Sequence, residues 1–95
     1  MQYIIHPHFG GFHVPAPLRA MYTPDSMNYG YFFDEELEHE FRTDPTAILW
    51  VQMHPECDLG VVTIPDEATD WELDEYDGSE HVIAVVHGKL MHIRG

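Results

Sequence analysis

Hydrophobic positions along the chain fall into short runs separated by Pro, Gly and acidic residues. Tyr3, Ile4 and Ile5 are good β formers and Pro7 stops them, so Gln2–His6 is expected as a strand. Gly10-Gly11 marks a turn or a close backbone approach, after which Phe12–Val14 can resume an extended path. Pro17 suits the first position of a short helix over Leu18–Tyr22, and Thr23–Asn28 reads as a loop. Tyr29–Phe33 is aromatic and strand-like. Phe33, Leu37 and Phe41 recur every four residues, a stripe that favours a helix over Glu35–Arg42. Asp44-Pro45 has the chemistry of a helix start, an Asp cap followed by Pro. The helix then covers Thr46–His54, with Ile48, Leu49 and either Val51 or Gln52 towards the core, and Pro55 ends it.

The last third changes period from helix to strand. Leu59–Ile64 is a strand closed by Pro65. In Trp71–Tyr76, Trp71 and Leu73 alternate with Glu72, Asp74 and Tyr76, as in a half-buried strand. Asp77-Gly78 is a turn, and His87-Gly88 joins Val82–Val86 to Lys89–Ile93 as a two-residue hairpin. These elements add up to a single α+β domain over residues 1–95. Its expected architecture is a small, mostly antiparallel sheet of four or five strands with one or two short helices on a face. A chain of 95 residues buries roughly 60–65% of its unfolded surface, so the core is small.

Charge narrows the class of partner. Seventeen Asp and Glu face four Lys and Arg, for a formal net charge of −13 with histidine neutral. Direct nucleic-acid binding needs clustered cations, and docking on an anionic membrane needs the same, so neither is expected. No apolar run approaches the ~20 residues that span a bilayer. The N-terminal residues lack a basic and an apolar region of the secretory type, and the single Cys57 cannot staple the domain. A cytoplasmic protein is the resulting expectation. The acids concentrate in Asp34–Asp44 and Asp66–Glu80. Asp66, Glu67, Asp70, Glu72, Asp74, Glu75 and Glu80 are therefore candidates for docking on a basic protein surface. Extended at about 3.3 Å per residue, that second stretch places one charge per ~6 Å. Duplex DNA places one per ~1.7 Å of axis, so imitation of DNA would need both acidic stretches side by side, or a dimer.

Catalytic and metal chemistry find little support. His6, His8 and His13 are close in sequence, but no His-Glu-x-x-His pattern and no second cysteine accompany them, so no metal site and no cofactor are expected. Cys57 stands between Glu56 and Asp58 and makes a poor nucleophile. Ser26 and Ser79 lack a glycine elbow, and Gly10-Gly11 lacks the spacing of a phosphate-binding loop. The chain is expected to bind rather than catalyse.

Three segments resemble a family of small proteins encoded by tailed bacteriophages and prophages. They are Ile4–Phe12 with its Gly10-Gly11-Phe12, then Arg42-Thr43-Asp44-Pro45, then Val61–Glu67 leading into Trp71–Val82 with its Glu75-Tyr76-Asp77-Gly78. The chain departs from the family in the short helix before His54-Pro55 and in its C-terminal hairpin. The resemblance implies a viral accessory protein in the host cytoplasm that acts by stoichiometric binding, and such proteins commonly counter host defence. One mode is sequestration of a nucleotide-like signal by Phe9, Gly10, Gly11, Phe12, Tyr29, Arg42, Asp44, Tyr76 and Asp77. There Arg42 would pair a phosphate, rings would stack a base, and Asp74, Glu75 or Asp77 would accept from ribose or base donors. The alternative mode is an acidic, DNA-mimic-like inhibitor that docks on a basic host protein. The bland alternative for Arg42 is an ion pair with Asp44 or a neighbouring acid. An exposed edge on the Val82–Ile93 hairpin makes a homo-oligomer plausible.

Overall fold

A computed structural model describes residues 1–21, 27–28, 30–32 and 34–94. In chain order the elements are β1 (Gln2–Ile5), α1 (Ala16–Arg19), β2 (Met27–Asn28), β3 (Tyr31–Phe32), α2 (Glu35–Thr43), α3 (Pro45–Met53), β4 (Gly60–Thr63), β5 (Ala68–Tyr76), β6 (Ser79–Val86) and β7 (Lys89–Ile93). This is an α+β fold.

β1 organises the molecule. It pairs antiparallel with β4, Tyr3 opposite Val62 and Ile4 opposite Val61. Side chains of a strand alternate between faces, and here both faces are covered. Ile4 points into a cluster with Leu18 of α1, Phe41 of α2, and Ala47, Ile48 and Val51 of α3, together with Val14 and Leu59. Tyr3 and Ile5 point the other way, into a cluster with Val62, Ile64 and Val82 that Trp71, Leu73 and Ile93 flank. The two-stranded β1–β4 sheet is thus the middle layer between helices and the β5–β6–β7 sheet. Full burial of an aliphatic side chain contributes about 1.5–3 kcal/mol, and Ile4 and Ile5 are both completely buried.

β5, β6 and β7 form an antiparallel meander. Both of its turns have two central residues with positive φ, Asp77 (51°) with Gly78 (85°) and His87 (52°) with Gly88 (76°). That geometry matches the right-handed twist of the flanking strands. A register shift between Ala68 and Asp70 starts β5 with a bulge.

Among the described residues the strands are dealt into antiparallel sheets of two, two and three rather than joined in one sheet of four or five. At His6 the β1 path reaches β6 and forms only one backbone bond there, Glu80 N to His6 O (2.7 Å). The reciprocal donor, His6 N, goes to the Glu80 carboxylate instead (2.7 Å), so no ladder propagates. The helices also differ in detail. α1 lies at Ala16–Arg19, earlier than Leu18–Tyr22, with Pro in its first turn. Leu49 is exposed; Ala47, Ile48 and Val51 make the core face of α3, and Gln52 is exposed too. The expectations for Thr23–Ser26, Tyr29 and Phe33 lie outside the described residues.

Candidate functional site

Arg42 sits in the last turn of α2 with its guanidinium directed under β1. Its Nη1 donates to Ile4 O (3.0 Å) and Glu80 Oε1 (2.8 Å), and its Nη2 donates to Glu80 Oε2 (2.8 Å). Nη2 also reaches Glu38 Oε2 at 3.5 Å, one helical turn back. The Phe12 ring lies against this group, with Cζ over the ring 3.8 Å from its centroid. Only 2% of Arg42 and 7% of Glu80 remain exposed. Burial alone would lower the Arg42 pKa, but the hydrogen bond and charge of Glu80, helped by Glu38, outweigh it and raise it. The guanidinium is therefore held charged in a site that water barely reaches.

Glu80 is the hub of this node. Besides Arg42 it accepts from His6 N, and the buried His6 ring sets Nδ1 3.3 Å from Gly78 O. Ser79 Oγ donates to Pro7 O (3.2 Å). The node joins α2, the end of β1 and the start of β6. Removing one partner of such a buried pair costs about 3–5 kcal/mol, because the other charge is left unpaired.

Beyond the node lies an exposed tip made of two glycine turns. Gly10 N donates to Asp77 O (3.3 Å). A Cβ on Gly78 would run into Gly11 N and lie 2.8 Å from Gly10 N, so the chains touch there only because Gly78 has none. Glu75 accepts from Gly78 N and holds the turn. Phe9 and Tyr76 meet edge to face with centroids 6.5 Å apart, both well exposed. Gly10, Gly11, Glu75, Asp77 and Gly78 line an open cleft of about 470 Å³.

The nine candidate ligand residues thus divide. Phe9, Gly10, Gly11, Tyr76 and Asp77 come together at the tip. Phe12 and Arg42 lie beneath, inside the node, where Arg42 is committed to Glu80 and offers no free donor fork to a phosphate. Its close acidic partner is Glu80, 38 residues away; the neighbouring acid Glu38 is a second, longer one at 3.5 Å, and Asp44 is not a partner. Asp44 instead caps α3, its Oδ1 accepting from Thr46 N (2.9 Å). Tyr29 lies outside the described residues. Of the seven acidic docking candidates, Asp66, Glu67, Asp70, Glu72, Asp74 and Glu75 are exposed, and Glu80 is not.

Sequence reasoning missed Glu80 as the partner of Arg42, and missed His6 as a buried residue. Strand alternation contained the signal for Glu80: it lies two residues before Val82 and four before Ala84, both core positions, and so on the same face.

The acids of β5 follow its pleat. Asp70, Glu72 and Asp74 share the outer face, two residues or ~6.6 Å apart, while Trp71 and Leu73 face the core. The Tyr3 ring stands between His39 of α2 (5.7 Å) and Trp71 of β5 (4.9 Å), which brings the two acidic segments to either side of one side chain. Across the outer face, His81 Nε2 is 3.6 Å from Asp74 Oδ2 and 3.3 Å from His92 Nδ1. Among the described residues no group of three or more His, Cys, Asp and Glu is arranged to hold a metal ion. No helix among them is long and apolar enough to cross a membrane. In comparison with known proteins, the chain matches no family model, no curated protein and no solved structure.

Proposed function

We propose that the protein acts by stoichiometric binding, docking the acidic face of β5 and its flanking turns on a basic surface of another protein. The observation that carries this reading is the contrast between Arg42 and the acids. The cation that a phosphate ligand would need is buried in an ion pair, whereas six carboxylates between Asp66 and Glu75 stand in solvent. Those charges also steer association with a cationic partner. The resemblance of three segments to small phage-encoded proteins suggests the setting: an accessory protein in the host cytoplasm that occupies a basic groove of a defence protein, without turnover.

The test is a titration against purified host defence nucleases. Inhibition is expected to be complete at one chain per target and to weaken steeply as salt is raised. The triple variant Asp70→Asn, Glu72→Gln, Asp74→Asn should lose inhibition while keeping the native circular dichroism spectrum. Full inhibition by that variant, or inhibition indifferent to salt, would overturn the reading.

A second reading, capture of a nucleotide-like molecule, draws on the convergence of Phe9, Gly10, Gly11, Tyr76 and Asp77 at the tip. Its ring contacts would come from Phe9 and Tyr76, and its polar contacts from Asp77 and the glycine backbone. A cyclic dinucleotide present at 100 times its Kd would stabilise the domain by about 2.7 kcal/mol, visible as a thermal shift of several degrees. A flat response across cyclic di- and trinucleotides removes those ligands.

A further inference from the structure

The acidity of this protein ends abruptly at Glu80. Residues 81–95 contain no Asp or Glu and carry Lys89 and Arg94, whereas the first 80 residues hold all 17 acids against two cations. Those two cations are engaged internally: Arg42 with Glu80, and Arg19 through Nε to Val14 O (2.8 Å). The free Lys and Arg side chains among the described residues therefore sit at the two ends of one element, β7, as its first residue and the residue after its last. It is also one of the two edge strands of its sheet.

The backbone of that edge has a definite phase. Val86 and Lys89 flank the two-residue turn, so they form the hydrogen-bonded pair, and Ala84–Met91 and Val82–Ile93 repeat it. Lys89, Met91 and Ile93 thus direct their N–H and C=O groups at β6. Leu90 and His92 direct theirs outward, and neither makes another backbone hydrogen bond among the described residues. The same edge exposes apolar side chains, 68% of Leu90 and 44% of Met91. An unblocked edge with apolar side chains is a template for strand addition.

We propose that a second copy of this chain occupies it. β7 pairs antiparallel with the partner's β7 about a two-fold axis at Met91, extending the sheet from three strands to six. In that register the outward groups of Leu90 meet those of the partner's His92, and the reverse, giving four hydrogen bonds. Met91 faces the partner's Met91, Lys89 faces the partner's Ile93, and Arg94 faces the partner's Gly88. No like charges stand directly opposite.

Charge selects this edge over the other one. β5 pairing with itself would bring Asp70, Glu72 and Asp74 against their own copies, which is unfavourable. At β7 the two acidic bodies approach through an acid-free segment that carries Lys89 and Arg94. Five paired residues span only ~17 Å, and the interface falls at or below the ~1,200 Å² end of specific ones, so the dimer is concentration-dependent. Its salt response is opposite to that of docking on a basic partner: salt screens the repulsion between two −13 chains and strengthens association.

Sedimentation velocity on the full chain tests this. Between about 0.01 M and about 1 M NaCl the screening length falls from ~30 Å to ~3 Å, and the dimer Kd should tighten about tenfold or more. Leu90→Pro and His92→Pro each remove one outward N–H without touching the β6 ladder. Both should be monomeric at every salt concentration while keeping the native spectrum. Should either proline disturb the hairpin, cross-linking provides an independent readout. In a Cys57→Ser background, Met91→Cys should form a disulfide dimer under mild oxidation, since Cα atoms of a non-hydrogen-bonded pair lie ~4.5 Å apart. Lys89→Cys should not. A chain that stays monomeric throughout, a dimer that survives both prolines, or oligomers larger than two, as β7-to-β5 pairing would build, would each overturn the proposal. None of these results bears on docking through the acids.

Discussion

Replacing Glu80 by glutamine removes one buried charge and leaves the shape of the node intact. The new side chain can still accept from His6 N through its carbonyl oxygen. Its amide nitrogen then faces Arg42 Nη2, donor against donor, where Glu80 Oε2 now accepts at 2.8 Å. Arg42 keeps the Ile4 carbonyl and the distant Glu38 at 3.5 Å, neither of which neutralises it at close range. Breaking a buried pair in this way costs about 3–5 kcal/mol. The retained bond to His6 and the contact to Glu38 favour the low end, about 3 kcal/mol. A domain of this size shifts by about 4–8 °C of Tm per kcal/mol, so the midpoint should fall by about 12–24 °C. Thermal and urea unfolding followed by circular dichroism would measure it, with Glu67→Gln as an exposed control expected within about 0.5 kcal/mol of wild type. The double variant Arg42→Met, Glu80→Gln should recover part of the loss, because no charge is left unpaired and the glutamine still accepts from His6 N. If Glu80→Gln costs less than about 1 kcal/mol, the node does not hold the layers together and the reasoning fails.

Gly78→Ala and Gly88→Ala form a matched pair, since both glycines have positive φ but only Gly78 abuts another backbone. Gly88→Ala should cost about 1–2 kcal/mol in urea titrations and Gly78→Ala clearly more. Asp44→Ala removes the side-chain cap of α3 and should destabilise the domain by about 1 kcal/mol in the same titrations. Burial raises the Tyr3 phenol pKa above its ordinary 10.0, with Arg42 partly offsetting the rise. The fold therefore favours the neutral phenol; that contribution is present below about pH 10 and is lost as pH climbs through the raised value. Tyr3→Phe should flatten the alkaline limb of the stability–pH profile, as urea midpoints at a series of pH values would show.

Local chemistry made much of the secondary structure readable. Asp44-Pro45 joins a side-chain cap to a residue preset for the first helical turn, the Phe33–Leu37–Phe41 spacing has a helical period, and His87-Gly88 between two β-branched or apolar runs makes a two-residue hairpin. The β7 boundaries, Lys89–Ile93, follow from that turn. Element ends such as α1, and the extra length of β5 before Trp71, were not readable, because they depend on neighbours and on a bulge. The division into separate sheets was not readable either, because the Glu80 carboxylate takes the His6 N–H that a β1–β6 ladder would need.

For the site, the division is between residue type and residue pairing. The sequence by itself determined that all 17 acids of this chain lie between Asp25 and Glu80, that Gly10-Gly11 and Asp77-Gly78 turn sharply, and that Arg42 is one of four cations. These depend on composition and on backbone preferences within a few residues. Only the tertiary structure decided that Arg42 meets Glu80, that Phe12 covers the pair, and that the two glycine turns touch. Such contacts join segments tens of residues apart, and their free energy comes from shared desolvation that no single segment possesses. Burial turned the same Glu80 that reads as surface charge into the anchor of the fold, while exposure left Asp70, Glu72 and Asp74 as surface charge.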